Sequence, residues 1–101
     1  MATNKMRAIH PGEILREEYL APLNLSAHAL AMALHVPAPR VNDIVRERRA
    51  VTPDTALRLA RYFDTSAQFW LNLQSAFDVK QAEKNAGVRI AEEVRPMKRV
   101  A

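Results

Sequence analysis

The sequence predicts an all-α fold, a compact bundle of five helices. Three observations predict it. Only 2 glycines occur in 101 residues, too few for the glycine-bearing turns of a small β-sandwich or barrel. The middle of the chain is rich in Ala, Leu and Arg, which are good helix formers. Helix-starting residues recur at Pro11, Ser26, Thr52-Pro53 and Ser66, each followed by apolar residues at helical spacing.

The first helix is predicted from Pro11 to about Leu20. Proline is tolerated in a first turn, and Glu13 there complements the helix dipole. Ile14, Leu15 and Tyr19 supply its apolar groups, and Pro22 ends it. Ser26 is an N-cap for a second, short helix in which Ala27, Leu30, Ala31 and Leu34 share a face. Pro37 stops that helix and pushes Val36 toward an extended conformation. A third helix starts at Ala38 or Pro39, with Val41, Ile44 and Val45 as its apolar stripe. Arg40, Asn42, Asp43 and Arg46 flank that stripe on the exposed side.

Thr52-Pro53-Asp54 combines a capping hydroxyl, a proline at the first position and an acid in the first turn. The core face of this fourth helix reads as Ala56, Leu57, Leu59, Ala60 and Phe63. Ser66 caps a fifth helix, in which Phe69, Trp70, Leu73 and Phe77 recur at i, i+1, i+4 and i+8. That helix is predicted to run to about Asn85, with Gly87 as its stop. The expected organisation is a flexible N-terminal segment at residues 1–9, a helical domain at 10–85 and a loosely ordered tail at 86–101.

Hydrophobic residues make up 49% and charged residues 26%, the balance of one globular domain. The absence of cysteine excludes a disulfide framework, a thiolate metal site and a cysteine nucleophile. No apolar run approaches the roughly 20 residues that span a bilayer, and the first ten residues lack the apolar stretch of a signal peptide. No membrane partner and a cytoplasmic location are expected. The net charge is +4 and it is concentrated. Residues 36–61 hold six arginines against Asp43, Glu47 and Asp54, which leaves +3 in that stretch. Residues 1–35 are neutral. Arginine suits planar recognition of phosphate and guanine, and a pI of about 10.0 fits a polyanionic partner.

Two short helices joined by a tight turn inside a five-helix domain form a helix-turn-helix. Its steric demands can be checked by position. Ala31 is the small residue where the second helix crosses the first. Val36 is the apolar plug of the turn. Val41 and Ile44 anchor the inner side of the second helix. The position after Leu34 must turn left-handed, usually as glycine; here it is His35, which tolerates positive φ better than most residues.

Three stretches, HPGEILREEYL at 10–20, RVNDIVRERRAVTPDTALRLARYF at 40–63 and TSAQFWLNLQ at 65–74, resemble the HigA antitoxins. These are a branch of the phage-repressor-like (Xre-type) helix-turn-helix proteins, with a lambda-repressor-like fold. Residues 10 to about 80 carry the resemblance. The chain departs from it at Asp64, where the family turns on glycine, and at Ala38-Pro39, where the family commonly has polar residues. The resemblance implies a homodimer that binds double-stranded operator DNA over its own promoter and represses its own operon. It also implies a partner, a HigB-type ribonuclease toxin that cleaves mRNA, which the antitoxin neutralises. Two other readings stand beside it: a solitary helix-turn-helix repressor without a toxin, and a toxin-binding protein with weak DNA binding.

The candidate DNA-contacting set is Pro37, Ala38, Pro39, Arg40, Asn42, Asp43, Arg46, Arg48 and Arg49. Arg46, Arg48 and Arg49 sit where the chain passes the phosphate backbone, although a solvated charge run has the same sequence pattern. Arg40 and Asn42 are placed for guanine and adenine. Asp43 either accepts from cytosine or pairs with Arg40 or Arg46, and the structural role is favoured. Phe69, Trp70, Leu73 and Phe77 are core or dimer interface, with Trp70 available for sharing with a second subunit. His28, Met32 and His35 lie at i, i+4 and i+7 but lack a further carboxylate or thiolate, so no metal and no other cofactor is expected. Glu17-Glu18 and Glu92-Glu93 diverge on a helix and cannot act as an acid–base pair. No phosphate loop, catalytic triad or HExxH motif occurs, so no enzymatic activity is expected.

Overall fold

The structure, a computed structural model, describes residues 7–98. Most of the segment 1–9 and the last three residues of the tail lie outside the described residues. The described residues form five helices and no strand. We label them α1 to α5. Helix α1 is continuous through Pro11–Ile14, a π-helical stretch Leu15–Leu20, and Ala21–Leu23. Helix α2 is Ala27–Leu34, α3 is Ala38–Val45, α4 is Pro53–Phe63 and α5 is Ala67–Glu93.

Helix α1 therefore outlasts its expected end. The Ala21 N–H bonds back to the Arg16 carbonyl, five residues away instead of four. That wider turn makes room for Pro22, whose ring would clash with a carbonyl in a regular α-turn. Helix α5 also outlasts its expected end. It passes through Gly87, a half-buried position, with no break and finishes at Glu93, because one glycine weakens a helix by only about 1 kcal/mol and does not stop it. Residues 86–93, expected as tail, are the last two turns of this helix.

The three side-chain caps read from the sequence all form, Thr52 Oγ1 accepting from the Thr55 N–H at 3.5 Å. Ser26 Oγ accepts from the Ala29 N–H at 3.0 Å, and Ser66 Oγ from the Phe69 N–H at 3.0 Å. The core collects Leu15, Leu20, Leu30, Ala31, Leu34, Val41, Ile44, Val51, Ala56, Leu59 and Trp70. Leu57 is not part of it. It is 63% exposed, because the buried face of α4 is centred on Ala56 and Leu59, and one residue's rotation carries Leu57 outward.

Trp70 is wholly buried within one chain. Its indole N–H donates to Thr65 Oγ1 at 2.9 Å, and its ring lies 5.1 Å from Tyr19. It is a core residue and offers no surface for a second subunit. Leu73 is half-buried against the core. Phe69 is exposed and meets the Trp70 ring edge-on at 5.0 Å. Phe77 is half-buried, 4.8 Å from His10.

Candidate nucleic-acid interface

Helices α2 and α3 and their turn have the geometry the motif demands. Ala31 is 1% exposed at the crossing. His35 takes the left-handed conformation, φ 59° and ψ 47°. Its N–H bonds to the Met32 carbonyl and the Val36 N–H to the Ala31 carbonyl, the pair of bonds that closes a Schellman motif. The last carbonyl of α2, Leu34, accepts from Arg58 Nη1 of α4 at 2.9 Å.

Helix α3 starts without a side-chain cap. Pro37 and Pro39 replace it by fixing φ, and proline loses nothing where an N–H would be unpaired anyway. Val41 and Ile44 are both 1% exposed and face inward. Successive residues stand about 100° apart, so Pro39, Asn42, Asp43 and Arg46 share the opposite face. Ala38 is half-buried at the helix start.

Arg40 lies on the flank and not on that outer face. Its Nη1 is 2.7 Å from Asp54 Oδ2, which also receives Arg58 Nε at 2.9 Å. These two guanidinium groups hold the Asp54 carboxyl below its ordinary range, the Arg58 hydrogen bond being the larger cause. Asn42 donates from Nδ2 to the Ala38 carbonyl at 3.2 Å. Asp43 does pair, but with Arg49 at 3.2 Å and Arg48 at 3.7 Å, not with Arg40 or Arg46. Those partners come from the loop that folds back after α3. Arg46 is exposed and, among the described residues, has no ion-pair partner.

The loop after α3 closes in a second Schellman motif. The Arg48 N–H bonds to the Asp43 carbonyl and the Glu47 N–H to the Ile44 carbonyl. Glu47 takes the left-handed position at φ 62°. Arg16, on α1, donates from Nη1 to the Val45 carbonyl and from Nη2 to Glu47 Oε2 at 3.3 Å. The far end of the loop is fixed by Val51, 3% exposed, whose N–H donates to Gln74 Oε1 at 2.8 Å.

Four of these supporting residues escaped the sequence reading. The contacts of Arg16 and Arg58 span 29 and 24 residues, and no local pattern announces them. Gln74 does carry a signal, a polar residue one turn beyond Trp70 on a buried face. Gly12 carries one too. It follows Pro11 at the start of α1, where a Cβ would lie 1.8 Å from the Ile44 carbonyl oxygen. Glycine is required because α1 meets the backbone of α3 there.

Of the metal candidates, His28 and Met32 are exposed and His35 is the left-handed cap. No group of three or more metal-ligating His, Cys, Asp or Glu side chains forms among the described residues. No helix is long and apolar enough to cross a membrane among them.

The helix-turn-helix family model matches residues 15–70. Antitoxin HigA-1 of Vibrio cholerae is 33% identical over 79 residues, 78% of this chain and 74% of that protein. The antitoxin HigA of Pseudomonas aeruginosa, solved with the higBA promoter, superposes with a TM-score of 0.90 at 55% identity, covering 91% of this chain and all of that one. The chain belongs to the HigA-type helix-turn-helix family. Virulence-associated protein I of Dichelobacter nodosus is 67% identical over 82 residues, 81% of this chain and 76% of its own length. Within this HigA-type chain, His35, Glu47 and Asp64 all hold left-handed turns without glycine.

Proposed function

We propose that this chain is the antitoxin of a type II toxin–antitoxin pair, which binds operator DNA to repress its own operon and neutralises an mRNA-cleaving toxin. The observation that carries the DNA half is the outer face of α3. Asn42 and Arg46 stand there beside Arg48 and Arg49, all on one side of the chain's most arginine-rich stretch. The likeness to an antitoxin solved with a promoter supports the same reading. The toxin half rests on family membership. A DNA-binding role of this kind belongs in the cytoplasm, without a membrane and without catalysis by the chain itself.

The proposed division of labour is simple. Arg46, Arg48 and Arg49 neutralise phosphates, and Asn42 reads adenine from the outer face. Pro37, Ala38 and Pro39 bring the start of α3 against the base edges. Arg40 reaches a guanine only by leaving Asp54. One recognition helix covers few base pairs, so a homodimer on two half-sites about 34 Å apart is proposed. Beyond Gln74, α5 has no buried residue, and Val79, Val88 and Ile90 are left exposed. With Trp70 buried inside the chain, this distal half of α5 and the residues after it are the proposed dimer contact.

Titration of the duplex upstream of the chain's own reading frame against a random duplex, at several salt concentrations, tests this reading. Each of Arg46→Ala, Arg48→Ala and Arg49→Ala should weaken both complexes and flatten log K against log salt by about 0.9. Asn42→Ala should cost about 1–3 kcal/mol on the operator and much less on random sequence. Sedimentation should show a dimer at micromolar concentration. Ala38-Pro39 favours a second reading, because neither side chain can hydrogen-bond a base. On that reading the chain is mainly a toxin-binding protein. A chain that binds no operator yet restores growth when co-expressed with the product of the adjacent reading frame would establish it. An operator-binding chain with no toxin frame beside it is a solitary repressor.

A further inference from the structure

Arg16 stands on α1, away from the outer face of α3, yet it touches the loop that carries the arginine cluster. The end of α3 leaves its last carbonyls without helical partners. Arg46 N–H takes the Asn42 carbonyl, Glu47 N–H the Ile44 carbonyl and Arg48 N–H the Asp43 carbonyl. The Val45 carbonyl is left over, and Arg16 Nη1 fills it. A cation there also complements the negative end of the helix dipole.

The same guanidinium holds Glu47 through Nη2. Glu47 has two liabilities. It occupies a left-handed conformation, φ 62°, that is strained for a residue with a Cβ. It also places a carboxylate between Arg46 and Arg48, where a phosphate backbone would pass. The ion pair answers both, since it fixes the loop conformation and turns the carboxylate toward α1. With Val51 locked to Gln74 at the other end, residues 46–50 are stretched between two anchors, and Arg16 is the one next to the recognition helix.

We propose that Arg16 is a positioning residue for DNA binding, which sets the loop bearing Arg46, Arg48 and Arg49 and draws the Glu47 carboxylate away from phosphate. The proposal rests on the operator-binding reading above. The fork geometry of arginine is essential to it, because a lysine ammonium cannot serve a carbonyl and a carboxylate in one plane.

The test compares wild type, Arg16→Ala, Arg16→Lys, Glu47→Gly and the Arg16→Ala/Glu47→Gly double variant. Each is titrated with operator and random duplex across a salt series, with circular dichroism confirming a folded chain at the assay temperature. Arg16→Ala should weaken both complexes by about three- to tenfold, the size of one polar contact. Arg16→Lys should fall between it and wild type. Glu47→Gly should bind at least as tightly as wild type, because glycine holds the left-handed turn unaided and brings no charge. In the Glu47→Gly background, most of the Arg16→Ala loss should vanish.

If Arg16 instead contacts a phosphate itself, the loss persists undiminished in that background and the salt slope flattens by about 0.9; this overturns the proposal. If Arg16→Ala lowers only the melting temperature and leaves both affinities at wild-type values, Arg16 is merely structural and the proposal fails. If wild type binds operator and random duplex no better than a neutral helical protein does, the operator-binding reading itself fails, and the proposal with it.

Discussion

His10 is 3% exposed, and its Nδ1 accepts from the Gly12 N–H at 2.8 Å, which caps α1. An accepting Nδ1 requires the neutral ring. Burial pushes its pKa below the ordinary value, and the nearby Glu47 and Asp78 carboxylates oppose that only in part. The unfolded chain therefore takes up this proton near pH 6.5, and the folded chain does so at lower pH. The stability linked to His10 is complete above about pH 6.5 and is lost as pH falls from there toward the folded value. Chemical denaturation of wild type should show stability falling across that window. The profile of His10→Asn, which keeps a capping oxygen but does not titrate, should be flatter. An identical pH profile in both proteins would mean that another group sets the acid limit. Two residues on, Gly12→Ala drives a methyl into the Ile44 carbonyl. It should destabilise the fold by about 3 kcal/mol or more and displace α3. A melting temperature within about 2 °C of wild type would show that the two helices separate freely, one kcal/mol being worth about 4–8 °C at this size.

At the scale of elements, the ends of helices explain most of what the sequence disclosed and what it hid. Starts were legible because a cap is local: Ser26, Thr52 and Ser66 each bond an N–H three residues ahead. Ends were less legible. Asn24, His35, Glu47 and Asp64 all turn left-handed where glycine is usual, and only His35 and Asp64 were marked by their departure from the family pattern. Pro22 and Gly87 read as breakers in the sequence, yet both lie inside helices, the first on a π-turn and the second at a half-buried position of α5. The buried faces of α2 and α3 followed from periodicity alone. Leu57 shows the limit of that reading, since a stripe drawn one residue too wide catches an exposed leucine. Arg40 shows a second limit, because its partner Asp54 lies on another helix. The left-handed caps carry a prediction of their own. His35→Gly and Asp64→Gly each relieve the cost of a Cβ at positive φ, partly offset by the greater freedom of glycine in the unfolded chain. Each should stabilise by about 0.5 kcal/mol and raise the melting temperature by about 2–4 °C. A lower melting temperature for both would show that the His35 and Asp64 side chains support their turns.

Across the whole molecule, the arginine-rich stretch is partly neutralised from within. Asp43, with a side chain one-third exposed, holds Arg49 and Arg48 at 3.2 and 3.7 Å on the face proposed for DNA. Phosphates must compete with Asp43 for these two cations, and its own charge opposes their approach. Exposed pairs of this kind contribute little to stability, about 0–1 kcal/mol each, so Asp43→Asn should fold with nearly the wild-type melting temperature. Its binding should change more. With the internal competitor gone, affinity for a random duplex at about 0.1 M salt should rise several-fold. The salt slope tells how the arginines were used before. An unchanged slope means that both already moved to phosphates in the wild-type complex. A slope steeper by up to about 0.9 for each arginine means that Asp43 had retained them. Affinity for the operator should rise by a similar factor, because on this account Asp43 touches no base. The opposite result is equally specific. If Asp43→Asn gains on random sequence but loses about 1–3 kcal/mol on the operator, then Asp43 accepts from a cytosine amino group in the specific complex. In that event its pairing with Arg48 and Arg49 is the resting arrangement of a base reader.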